Sequence, residues 1–131
     1  MRRIPLAAVV CSLVSIAAAG CTGIGSARGD RAYAHMVSGG DPHRGAQAIR
    51  AFGCGSCHVI PGIRGADGLV GPPLTNMAQR TYIAGRLPNR PDAMVRWVLA
   101  PRSVDELTAM PNVGLNEQQA RDVAAYLYTL Y

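Results

Sequence analysis

Cys54, Cys57 and His58 are the residues in this sequence whose types and order point to one specific chemistry. Two thiols stand three positions apart and an imidazole follows the second directly, in Cys54-Gly55-Ser56-Cys57-His58. This C-x-x-C-H order is the attachment pattern for c-type haem. Each sulfur adds across one vinyl group of the porphyrin, and one helical turn between them brings both to the same edge. His58 then binds the iron through a ring nitrogen as the fifth ligand. Gly55 and Ser56 are small, which lets the macrocycle lie against the backbone. A zinc site needs four protein ligands, and the chain has no second C-x-x-C. A thioredoxin-like dithiol needs a βαβ setting, and no strand-like alternation appears anywhere. The motif implies one covalently bound haem c.

The elements that must position these groups read as short helices joined by long loops. Asp41-Pro42 opens the first helix with an N-cap and a first-position proline, and Gly53 stops it just before the motif. Residues 59–73 form a loop punctuated by Pro61-Gly62, Gly65, Asp67-Gly68 and Gly71-Pro72-Pro73. The spacing allows a helix over 74–84 with Met77, Ala78 and Ile83 inward. Asp92 caps a short helix carrying Met94, Trp97 and Val98 at i, i+3, i+4, and residues 104–114 are irregular. Asn116 and Gln119 make a capping box for a last helix with Ala120, Val123, Ala124 and Leu127 on one face. The fold class is all-α, without repeats. Aromatic residues make up only 5% of the chain against 49% hydrophobic residues overall, a deficit that a buried porphyrin would fill.

The N-terminal region reads as targeting sequence. Arg2 and Arg3 precede an uncharged, mostly apolar run from Ile4 to Gly20 that ends Ala18-Ala19-Gly20-Cys21. Residues 1–20 are read as a lipoprotein-type export signal, Cys21 as the lipidated thiol, 21–40 as a flexible Gly/Ala/Ser-rich tether and 41–131 as the folded domain. The competing readings are cleavage at an Ala-x-Ala pattern, releasing a soluble periplasmic protein, and an uncleaved N-terminal helix serving as a short membrane anchor. Lipidation predicts a protein held on the periplasmic side of a bacterial membrane. Haem and lipid then account for Cys54, Cys57 and Cys21, while Cys11 leaves with the signal. All the basic residues are arginine, and from Cys21 onward they exceed the acidic residues by three. That bias is too small to argue for nucleic acid.

The motif, Gly71-Pro72-Pro73-Leu74 after it, a methionine in a late loop and Ala125-Tyr126-Leu127 in the last helix together resemble a class I cytochrome c. The resemblance covers residues 41–131 and is nearest to small bacterial membrane-attached monohaem cytochromes and to haem domains appended to haem-copper oxidase subunits. It implies that Gly45, or Ala46 beside it, crosses the last helix near Tyr126. Pro72 would accept the Nδ1–H of His58 through its carbonyl, and Leu74 would touch the porphyrin. Met110, in a loop and followed by Pro111, corresponds to the sixth iron ligand. Met77 and Met94, at helical spacing among apolar neighbours, read as core filling. Tyr82 and Trp97 resemble aromatic groups that donate hydrogen bonds to haem propionates, and Arg64 and Arg80 are candidates to neutralise one. For Trp97 an ordinary core role competes equally.

These readings predict a monohaem electron carrier in a bacterial respiratory chain, its iron cycling between Fe(II) and Fe(III), with the exposed haem edge near Cys54 and Cys57 as the exit. Its partners would be a bc-type complex, a dehydrogenase or a terminal oxidase, with no small-molecule substrate. No residue is placed for acid–base or nucleophilic catalysis, so it is not read as an enzyme. Two alternatives are a haem-bearing subunit of a larger oxidase or dehydrogenase and, less favoured, a haem gas sensor or peroxidase.

Overall fold

Asp41 begins the first helix as its chemistry dictates. In the computed structural model, which describes residues 36–131, its carboxylate accepts hydrogen bonds from the His43 and Arg44 amides at 2.8 and 3.2 Å. Those amides are among the four a helix start leaves unpaired. Pro42 occupies the first turn, where its missing N–H costs nothing, and helix α1 runs Pro42–Ala51. Residues 1–20, Cys21 and the tether up to residue 35 lie outside the described residues. The composition extends the tether to residue 40, yet Val37 is only 3% exposed and belongs to the core. The Gly39 carbonyl also accepts from Gln118 Nε2 at 2.8 Å. One buried apolar side chain is enough to bring residues 37–40 into the domain.

Helix α2 spans Pro91–Leu99, a one-turn helix α3 follows at Pro101–Val104, and α4 closes the described fold at Glu117–Leu127. Arg90 holds the N-cap position of α2 and Asp92 lies in its first turn, where it faces the positive end of the helix dipole instead of capping as the sequence suggested. The capping box of α4 is present: Gln119 N–H donates to Asn116 Oδ1 at 2.8 Å and Asn116 N–H to Gln119 Oε1 at 2.9 Å. Residues 74–84 do not form the single helix allowed by their spacing. A 3-10 turn at Met77–Gln79 is followed by an antiparallel ribbon, β1 Tyr82–Ile83 and β2 Leu87–Pro88. Asn76 enters the turn in the left-handed region (φ 55°) and Ala84 and Gly85 do the same at the ribbon's turn (φ 50° and 67°), which ends any helix locally.

The core is built where α1 crosses α4 and α2 packs beside them. A Cβ on Gly45 would stand 2.9 Å from Tyr126 Cβ and closer still to the Asp122 carbonyl. Only glycine permits that approach, so the crossing centres on Gly45 and not on Ala46. Ile49, Met94, Ala120, Val123 and Ala124 are all 3% exposed or less, and burial of each larger member contributes about 1.5–3 kcal/mol.

A charge that the apolar pattern of α4 does not announce locks this crossing. Asp122 is buried, and its carboxylate accepts from Arg44 Nε at 2.8 Å and Arg44 Nη2 at 2.9 Å. It also accepts from the Asp41 amide at 2.8 Å and from Gln118 Nε2 at 3.0 Å. Burial alone would raise its pKa, but Arg44 and these amide donors hold it below the ordinary carboxylate value. A depressed folded-state pKa contributes stability that is complete above the unfolded pKa of about 3.9 and is lost as pH falls through the folded value. Asp122→Asn should therefore lower stability by about 1.5–3 kcal/mol at pH 7, the range for hydrogen bonds to a charged group. Chemical denaturation at pH 7 and pH 3 should show the gap from wild type narrowing at the acidic end.

Candidate haem site

Between α1, α2, α4 and the loops lies a cavity of about 630 Å³. Its wall is mostly apolar, with Ile49, Phe52, Ile60, Val98, Leu115, Val123 and Leu127 among the lining residues. A few groups capable of chemistry converge on it: Cys54, Cys57, His58, Arg80, Trp97 and Met110. A large apolar pocket with a small number of convergent polar groups is the usual form of a cofactor site.

The cysteines are delivered by a 3-10 turn, Cys54–Ser56, that follows directly after α1. Gly53 reverses the chain with φ 70°, and the Cys57 and His58 amides both donate to the Cys54 carbonyl, at 3.3 and 3.1 Å. One turn thus separates two thiols that are free of any disulfide. Burial pushes the Cys54 thiol up, and the neighbouring Cys57 adds to the effect. Gly55 does not face the cavity as its size suggested. A Cβ there would strike Ala66 at 2.7–2.8 Å, so this glycine lets the 59–73 loop close over the turn, while Ser56 does line the cavity.

His58 is held from behind. Its Nδ1 lies 2.8 Å from the Pro72 carbonyl. A carbonyl only accepts, so Nδ1 carries the proton and Nε2 keeps its lone pair for a metal, the usual orienting device for a ligating imidazole. Gly71 lies against the ring itself, where a Cβ would come within 2.6 Å of Nδ1. The Gly71 amide donates to the Cys57 carbonyl at 2.7 Å and the Leu74 amide to Val59 at 2.8 Å. The loop is thereby pinned to the motif on both sides of Pro72.

Met110 lies in the loop between α3 and α4, half-buried, with its amide donating to Thr108 Oγ1 at 3.2 Å. Met77 and Met94 are 4% and 1% exposed and are part of the core, as their helical spacing suggested, and their side chains border the cavity as well. Pro72, Leu74 and Trp97 also line it. Trp97 is half-buried at this wall. Tyr82 departs from the expectation for it. It is 58% exposed and outside the cavity, because the two-residue alternation of β1 turns Ile83 inward and Tyr82 to solvent. Of the two candidate arginines, Arg80 lines the cavity and Arg64 does not.

These residues fit a covalent haem: paired free thiols one turn apart, an imidazole with its metal-binding nitrogen left open, a thioether, an apolar enclosure and one cationic side chain. Comparison with known proteins agrees. The cytochrome c family model matches residues 42–131, and the chain belongs to that family, as a class I c-type cytochrome. Its cofactor is covalently bound haem c. Among curated proteins it is similar to cytochrome c oxidase subunit 2 of Alkalihalophilus pseudofirmus, 30% identical over 89 residues. That alignment takes in 67% of this chain but only 25% of the relative. No solved structure matches the chain.

Proposed function

We propose that this protein is a tethered one-electron carrier of a bacterial respiratory chain and performs no catalysis by itself. The observation that carries the reading is that His58 and Met110 line the same cavity as Cys54 and Cys57. Cys54 and Cys57 would hold the haem through thioether bonds, with His58 and Met110 as the axial ligands. A haem ligated by histidine and methionine takes up and releases one electron at a comparatively high potential. The chain's own part is to fix the His58 tautomer through Pro72, to exclude water with the apolar wall, and to place the Arg80 charge beside the cavity. Exposed Leu69 and Val70, with Val70 also at the cavity wall, and exposed Leu107 near Met110 supply apolar surface of the kind that marks a partner contact.

The tether reading rests on the sequence alone: an export signal over residues 1–20, lipid on Cys21 and a linker carrying the domain on the periplasmic side. Among the described residues no helix is long and apolar enough to cross a membrane. The similarity to an oxidase subunit favours a terminal oxidase as electron acceptor, and it equally supports a second reading in which the chain is itself the haem subunit of such a complex. Spectroelectrochemical titration of the holoprotein tests the carrier reading. A single one-electron wave is expected, with no sustained peroxide turnover. Steady peroxide consumption by the isolated holoprotein would contradict it.

A further inference from the structure

Asn89 is not part of the cavity wall, yet its hydrogen bonds support it. Its side-chain Nδ2 donates to the Met77 carbonyl at 2.7 Å and to the Arg80 carbonyl at 2.8 Å. Its Oδ1 accepts from the Tyr128 hydroxyl at 2.9 Å, and its backbone N–H donates to Thr81 at 3.0 Å. The amide thus uses both of its N–H donors and its oxygen. The turn it closes has no side-chain cap of its own and opens on Asn76 in the left-handed region, so it depends on a bond from outside. Tyr128, at the end of α4, is 2% exposed and fixes the amide from the core side.

From that turn the Arg80 guanidinium reaches back to the Pro73 and Thr75 carbonyls, the second at 3.0 Å. These flank Leu74 and adjoin Pro72, whose carbonyl holds Nδ1 of His58. A continuous set of hydrogen bonds and short backbone segments thus runs from the end of α4 to the imidazole. We propose that Asn89 is a positioning residue for His58, acting through the Met77–Arg80 turn and the Arg80 guanidinium on the loop that carries the Pro72 carbonyl. Leu87-Pro88-Asn89-Arg90-Pro91 looks like a plain chain break in the sequence. The structure makes its one side-chain amide a support of the metal-facing ring.

The inference rests on His58 as iron ligand, and its test separates the two. In the holoprotein, Asn89→Asp keeps the size and the acceptor for Tyr128 but turns an acceptor toward two carbonyls. Native-state hydrogen exchange at the Gly71 and Leu74 amides should become about tenfold faster, the effect of losing one or two ordinary hydrogen bonds. The α4 amides should not change, and the paramagnetically shifted His58 ring signals should move. Unchanged exchange at Gly71 and Leu74 together with unmoved ring signals overturns the proposal. So does an acceleration shared equally by α4, which would make Asn89 a general stability residue. If Asn89→Asp does not fold, Tyr128→Phe removes a single hydroxyl at the far end and should give the same local change at about threefold, with no change again overturning it. A wild-type holoprotein whose His58 ring shows no paramagnetic shift would instead refute the ligand assignment.

Discussion

Cys54→Ala combined with Cys57→Ala is expected to yield a protein from which acidified organic solvent removes all the haem, where the wild type retains it. The two thiols are in no disulfide, lie one 3-10 turn apart and line the cavity, an arrangement that fits them for the covalent attachment proposed. The change should reach beyond the cofactor. The walls around 630 Å³ of cavity have few large aromatic side chains with which to fill it. A covalent cross-link constrains the unfolded chain somewhat as a disulfide does, worth about 2–4 kcal/mol. For a domain of this size that corresponds to a fall in Tm of about 10 °C or more. Calorimetry of wild type and double variant, paired with the extraction, checks both parts. Haem retained by the double variant would remove the motif from its assigned role.

Met110→Ala is expected to produce the largest spectroscopic change of any single substitution. The near-infrared sulfur-to-iron band should disappear, the reduced protein should gain carbon monoxide binding, and the potential should fall, because methionine ligation raises it. Met77→Ala and Met94→Ala are the controls. Both side chains border the cavity but belong to the core at 4% and 1% exposure. Their loss should leave the band intact and lower stability by about 2–5 kcal/mol, the range for truncating a buried methionine. A Met110→Ala protein that keeps the band would place the sulfur ligand elsewhere, with Met77 and Met94 the first to examine.

The haem motif was legible because its chemistry is local: five consecutive residues specify attachment without reference to the rest of the chain. The last helix was legible for a similar reason, since Asn116 and Gln119 satisfy its first amides within one turn. What escaped depends on partners distant in sequence. Asp122 lies off the stripe formed by Ala120, Val123, Ala124 and Leu127 and reads as a solvent position until Arg44, 78 residues earlier, is brought against it. Asn89 reads as a turn residue until Tyr128 is placed behind it. Val37 stands in a Gly/Ala/Ser-rich stretch and is followed directly by Ser38-Gly39-Gly40, so little in the local sequence separates it from the linker. The reading of Tyr82 rests on the family resemblance alone, and a two-residue strand too short to show alternation turns its side chain to solvent.

Carbon monoxide titration of the dithionite-reduced wild-type holoprotein at neutral pH shows whether the iron has a position open to an outside ligand. If His58 and Met110 both bind the iron there is no vacant position, so the absorption spectrum should be unchanged by saturating carbon monoxide, with a large Soret shift in Met110→Ala under the same conditions. A wild-type protein that binds carbon monoxide readily would contradict the electron-carrier reading and favour a gas sensor or peroxidase.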